Sequence, residues 1–66
     1  MQIFVNGQAR VLPEDAGLAT LLAEMGLAGK RVAVEVNREI VPRARHGGHV
    51  LRDGDRIEIV QAIGGG

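Results

Sequence analysis

Only one stretch of this 66-residue chain carries the apolar period of a helix. Leu18, Leu21, Leu22 and Met25 fall at i, i+3, i+4 and i+7, which is one face of an amphipathic helix. Much of the remaining apolar sequence alternates with a period of two. Ile57, Glu58 and Ile59 alternate near the end, and Val32, Val34 and Val36 alternate with Arg31, Ala33 and Glu35. A single helix of this kind must cover one face of one mixed sheet, because nothing else in the chain is long enough to bury it. Ile3, Val5, Val34, Ile57 and Ile59 are the residues expected to pack against the helical stripe.

The chain in order gives strand, strand, helix, strand, short strand, strand. Met1 to Val5 is the first strand, with Met1, Ile3 and Val5 on one face. Asn6-Gly7 is a hairpin signal, since a type I′ turn needs positive φ at both central residues. The return strand covers Gln8 to Leu12, and Pro13-Glu14-Asp15 breaks the pairing because proline cannot donate to a ladder. The helix starts near Ala16 to Leu18, with Asp15 or Gly17 as its cap. Gly26 ends it in a left-handed conformation, and Leu27 packs back on the last turn. Arg31 to Val36 is the third strand. Asn37-Arg38-Glu39 turns the chain into Ile40-Val41, a short strand that Pro42 closes and that suits an edge. Arg43 to His49 is irregular, Val50-Leu51 is a brief apolar contact, and Arg52-Asp53-Gly54-Asp55 is a tight turn into the final strand.

The apolar fraction of 45% and a formal net charge of zero describe an ordinary globular domain near the lower size limit for a self-sufficient core. There is no cysteine, hence no disulfide scaffold, no iron–sulfur cluster and no thiol nucleophile. The longest apolar runs are far too short to span a bilayer, and no signal peptide precedes the first strand. A cytoplasmic location is the expectation.

The last strand runs straight into Gly64-Gly65-Gly66. Glycine has nothing to pack and loses the most backbone entropy when ordered, so three of them do not build a fold. They make either a thin probe whose terminal carboxylate is offered to a narrow site on another protein, or a frayed end or truncated linker. The expected organisation is one domain over residues 1–63 with a glycine tail over residues 64–66.

With this arrangement and tail, the sequence resembles the ubiquitin-like β-grasp proteins, and most closely the small sulfur carriers of thiamine biosynthesis, the ThiS family. The resemblance rests on the Met-Gln-Ile opening, the stretch from Asn37 through Ile40-Val41-Pro42-Arg43, the Asp53-Gly54-Asp55 turn and the terminal Gly65-Gly66. It implies an α+β fold with a sheet ordered 2-1-5-3-4, its first and last strands central and parallel. Two departures are mild: Gly64 adds a third glycine, and the helix start lacks the hydroxyl cap that relatives often carry. The resemblance also implies chemistry. An E1-like adenylyltransferase of the ThiF type would use ATP to adenylate the carboxylate of Gly66. A persulfide from a donor such as a cysteine desulfurase would turn it into a thiocarboxylate, and a thiazole synthase of the ThiG type would consume it. Gly64 and Gly65 are then the stem. The chain itself would be a carrier and substrate, not an enzyme, binding no cofactor of its own.

Docking to such partners is expected to involve Phe4, Arg56, Val60 and Ile63. Phe4, Ala33 and Val60 point away from the helix and, in the geometry the resemblance implies, sit together on the open side of the sheet, where an exposed apolar group marks a contact. The remaining features have plainer readings. His46 and His49 flank Gly47-Gly48 without a third ligand, which makes a metal site weak and solvated loop residues the better reading. The arginines of the second half interleave with acids, and Phe4 is the sole aromatic, which does not fit a nucleic-acid surface. Two rival functions share the tail: the related carrier of molybdopterin synthesis, and a ubiquitin-like modifier of other proteins. A β-grasp interaction module without tail chemistry is a third.

Overall fold

The computed structural model describes residues 1–61. Five strands and one helix follow the expected order: β1 (Gln2–Val5), β2 (Gln8–Val11), α1 (Leu18–Glu24), β3 (Val32–Val36), β4 (Glu39–Val41) and β5 (Arg56–Gln61). The sheet is ordered β2-β1-β5-β3-β4. β1 and β5 run parallel at its centre, and the other pairs are antiparallel. The expected boundary between domain and tail, at residues 63 and 64, lies outside the described residues.

Two hairpins are closed by turns of the same kind. Asn6 and Gly7 have φ of 50° and 84°, and Asn37 and Arg38 have φ of 52° and 68°. Positive φ at both central positions is the type I′ geometry, whose twist matches that of the strands it joins. Asparagine tolerates the left-handed region better than most residues. Arg38 does so only because the short β3–β4 connection requires it.

The helix is capped by backbone rather than by a side chain. Gly17 is the N-cap and makes no side-chain cap bond, whereas the Leu18 amide donates to the His49 carbonyl at 2.8 Å. A Cβ on Gly17 would lie 3.1 Å from that same oxygen, so any other residue here would have to push the His49 carbonyl back by a few tenths of an ångström. Asp15, the other candidate cap, is instead turned into the left-handed region at φ 69°. At the other end Gly26 has φ 73°, its amide donates to Ala23, and the Leu27 amide donates to Leu22. This pair of bonds is the Schellman motif expected from Gly26-Leu27.

The core lies between α1 and one face of the sheet. Ile3, Val5, Val34, Ile57 and Ile59 are buried against Leu18, Leu21 and Leu22, as expected. Met25 is only half-buried, at the rim where the helix ends. Val36 of β3 joins them, and Leu12, Ala16, Val41 and Leu51 complete the core from the loops and from edge strand β4. Leu51 is held there because its amide donates to Ala16 and Val50 forms a bridge with Gly17, which leaves the Val50 side chain exposed. The segment expected to be irregular contains a single 3-10 turn, Arg43–Arg45.

Candidate functional site

β5 is the element from which residues 62–66 continue, and both of its flanks are fixed by asparagine side chains. On the β1 side, regular pairing reaches Val5 opposite Ile57, and the Asn6 amide donates to the Ile57 carbonyl. β1 then turns away. The Asn6 side chain takes over the next step: its Oδ1 accepts from the Ile59 amide at 2.9 Å, and its Nδ2 donates to the Ile59 carbonyl at 3.2 Å. A carboxamide presents a donor and an acceptor side by side, as a peptide group does, so it can stand in for one more residue of β1. At the start of β5, Asn37 Oδ1 accepts from the Arg56 amide at 3.0 Å and its Nδ2 donates to Asp55 at 2.9 Å. Asp55 in turn accepts from the Arg52 amide, and Asp53 from the Gln2 amide, both at 2.8 Å. β5 is therefore held at entry by Asn37 and, two residues before Gln61, by Asn6.

The sequence marks Asn6 and Asn37 as turn residues, and their clamping of β5 went unforeseen. Positive φ explains why either position holds asparagine or glycine, but only the fold shows that each amide lies beside the last strand. The signal was present only as two asparagines at hairpin tips, which by itself says nothing about a third strand.

The residues expected to dock a partner separate into two places. Phe4, Arg56, Val60 and Ala33 all lie on the face opposite α1. Phe4, Ala33 and Val60 do not form the single cluster expected of them. Phe4 pairs with Arg56, whose guanidinium carbon lies 5.1 Å from the centre of the phenyl ring, a cation–π contact. Val60 lies four residues further along β5, about 13 Å at the usual strand rise, and pairs with Ala33. The parallel register of β1 against β5 causes the separation, because it sets Phe4 against the start of β5 instead of its end. One shallow depression is lined by Phe4, Asn37, Arg38 and Arg56, and another by Arg31, Ala33, Arg43 and Val60. Val60 is 66% exposed, whereas Phe4 is half-buried beneath Arg56. Ile63, Gly64, Gly65 and Gly66 lie outside the described residues.

His46 is a structural residue. Its Nε2 donates to the Val41 carbonyl at 3.0 Å, which fastens the turn after β4. No three of His, Asp and Glu are grouped closely enough to hold a metal among the described residues. No helix there is long and apolar enough to cross a membrane.

The sequence profile of the ThiS family matches residues 3–66. The chain is 35% identical over 66 residues to the sulfur carrier protein ThiS of Escherichia coli, and the alignment covers all of both chains. It is 41% identical over 66 residues to the thiazole synthase of Paramagnetospirillum magneticum, where it spans 20% of that protein's length. The crystal structure of the thiamine biosynthesis protein ThiS from Geobacter metallireducens superposes with a TM-score of 0.82 at 30% identity, with all of both chains covered. The β-grasp sheet and helix of the described residues, with a sequence match that runs through residue 66, place this chain in the ThiS family.

Proposed function

We propose that this protein carries sulfur as a thiocarboxylate on Gly66 and donates it for thiazole formation in thiamine biosynthesis. The observation that carries this reading is the extent of the similarity. It runs through residue 66 and so includes the glycines that the chemistry needs. One similar solved structure is named a thiamine biosynthesis protein and two similar proteins are named thiazole synthases, which favours the thiazole route. That 66 residues of similar sequence occur within proteins named thiazole synthase supports such an enzyme as the acceptor of the sulfur.

The chemistry follows from the weakness of a carboxylate as an acyl donor, since its oxygen is a poor leaving group. A free α-carboxyl has a reference pKa of about 3.3–3.7, so at neutral pH the Gly66 carboxylate is ionised and can attack the α-phosphorus of ATP. Pyrophosphate leaves and an acyl adenylate forms. The outer sulfur of a persulfide then attacks the carbonyl carbon and AMP departs. A second thiol breaks the remaining S–S bond and frees the thiocarboxylate. An E1-like adenylyltransferase would supply the ATP site, and a cysteine desulfurase the persulfide. The chain contributes the substrate carboxylate, a stem that fits a narrow channel, and a rigid strand from which the stem departs.

The test is removal of Gly66, with the product read by intact mass after incubation with ATP, the E1-like enzyme and a sulfur donor. The full chain should gain about 16 Da as oxygen is replaced by sulfur. An extended residue contributes about 3.3–3.6 Å, so the shortened chain withdraws its carboxylate far beyond the roughly 1 Å misplacement that can cost a hundredfold in rate. Transfer of sulfur to the shortened chain at the rate of the full one refutes the proposal. A covalent adduct to other proteins instead of the mass gain would indicate a modifier.

A further inference from the structure

The end of the sheet from which β5 points toward the tail carries three cations that no ion pair among the described residues absorbs. β3 runs antiparallel to β5, so Val32 lies opposite Gln61 and Ala33 opposite Val60. The residues leading into β3 are Lys30 and Arg31, and Arg43 begins the 3-10 turn that follows β4. Arg31, Arg43 and Val60 line one shallow depression. Lys30, Arg43, Val32 and His46 line the next. The two share Val32 and Arg43, and no carboxylate lines either one. Among the described residues the only ion pair lies elsewhere, between the terminal amine of Met1 and Glu14, so Lys30, Arg31 and Arg43 have no counterion within 4.0 Å.

We infer that Lys30, Arg31 and Arg43, with exposed Val60 beside them, form a docking collar for an acidic rim around the channel mouth of the enzyme that adenylates the tail. This rests on the carrier reading and adds to it the chemistry of the partner's surface. Reach favours the contact. The five residues from Ala62 to Gly66 span at most about 18 Å when fully extended. Any enzyme that closes on Gly66 must bring its surface to within that distance of Gln61, and the collar flanks Gln61. Charge then decides what that surface carries. Taking three cations into an interface without carboxylates to meet them would leave them desolvated and unpaired, which is unfavourable. Paired with an acidic rim, they set the register of docking and raise the encounter rate. The same cations would suit RNA poorly, because the only aromatic residue, Phe4, is at the other end of the sheet and cannot stack a base here.

The experiment measures AMP transfer to the full chain by its E1-like enzyme as a function of carrier concentration. Arg31→Glu and Arg43→Glu are each compared with Arg52→Glu, which makes the same change of charge in the turn before β5. Each collar reversal should raise KM about fivefold to tenfold with kcat within about twofold, because a docking charge acts on association. Arg52→Glu should stay close to wild type. Raising salt should increase the wild-type KM far more than that of the Arg31→Glu/Arg43→Glu double variant, since exposed charges are screened. Equal KM values for the collar and Arg52 reversals would overturn the collar while leaving the carrier reading intact. So would binding of a fluorescent single-stranded RNA that the double variant loses. A wild-type chain that accepts no AMP would overturn the carrier reading and the collar with it. Melting temperatures within error of wild type show that the reversals act on docking and not on the fold.

Discussion

Replacing Asn6 by glycine removes the side-chain clamp on Ile59 while sparing the turn. Glycine adopts the observed φ of 50° without strain, and Gly-Gly is as good a type I′ pair as Asn-Gly. What disappears is the pair of bonds at 2.9 and 3.2 Å to the Ile59 amide and carbonyl. A net hydrogen bond contributes about 0.5–1.5 kcal/mol, and this pair is only partly buried, so together they account for about 1–2 kcal/mol. The added freedom of the unfolded chain costs about another 0.5 kcal/mol. A loss of about 2 kcal/mol is a large share of the roughly 3–5 kcal/mol that a core of this size supplies. With a urea m-value near 1 kcal/mol/M, at the low end for small proteins, the denaturation midpoint should fall by about 2 M. Exchange of the Ile59 amide should accelerate by about thirtyfold if it proceeds through the same opening. Asn6→Asp sharpens the test. It keeps an acceptor for the Ile59 amide but faces the carbonyl with a carboxylate, so the stability deficit should be present at neutral pH. The deficit should shrink as the carboxyl protonates near its reference pKa of about 3.9 and regains a donor. A glycine variant with wild-type midpoint and wild-type exchange at Ile59 would refute the claim that Asn6 extends the β1 ladder.

Two further substitutions test the frame that carries the site. Leu22→Ala removes a side chain only 6% exposed at the centre of the helix–sheet contact, and should cost on the order of 2–5 kcal/mol in urea unfolding; an unchanged midpoint would take Leu22 out of the core. Gly26→Ala places a Cβ in open space, so its whole effect should be the left-handed strain at φ 73°, about 1–2 kcal/mol, or roughly 4–16 °C in melting temperature. A melting temperature equal to wild type would show that the last turn relaxes without cost.

The fold was legible because its signals are local and agree with one another. The period of Leu18, Leu21, Leu22 and Met25 gave the helix, the valine alternation gave β3, and two asparagine turns gave the hairpins. Pro42 placed β4 at an edge, which is where it lies. The strand order itself came from resemblance, because no local pattern states which strands pair across 50 residues. What escaped the sequence depends on that long-range register. Nothing in Asn-Gly shows that the Asn6 amide will meet Ile59, 53 positions away. Nothing in the spacing of Phe4 and Val60 shows that parallel pairing sends them to opposite ends of one face. Gly17 is one of the two caps that the sequence offers, but the partner of the Leu18 amide is not local: it is the carbonyl of His49, supplied by a loop 31 residues on. These long-range contacts share a consequence for the tail chemistry. The strand from which residues 62–66 continue is held by side chains at both hairpin tips in addition to its backbone pairing with β3. Under the proposed carrier function, where misplacing the reactive carbon by about 1 Å can cost roughly a hundredfold in rate, such an origin for the tail matters more than a longer stem.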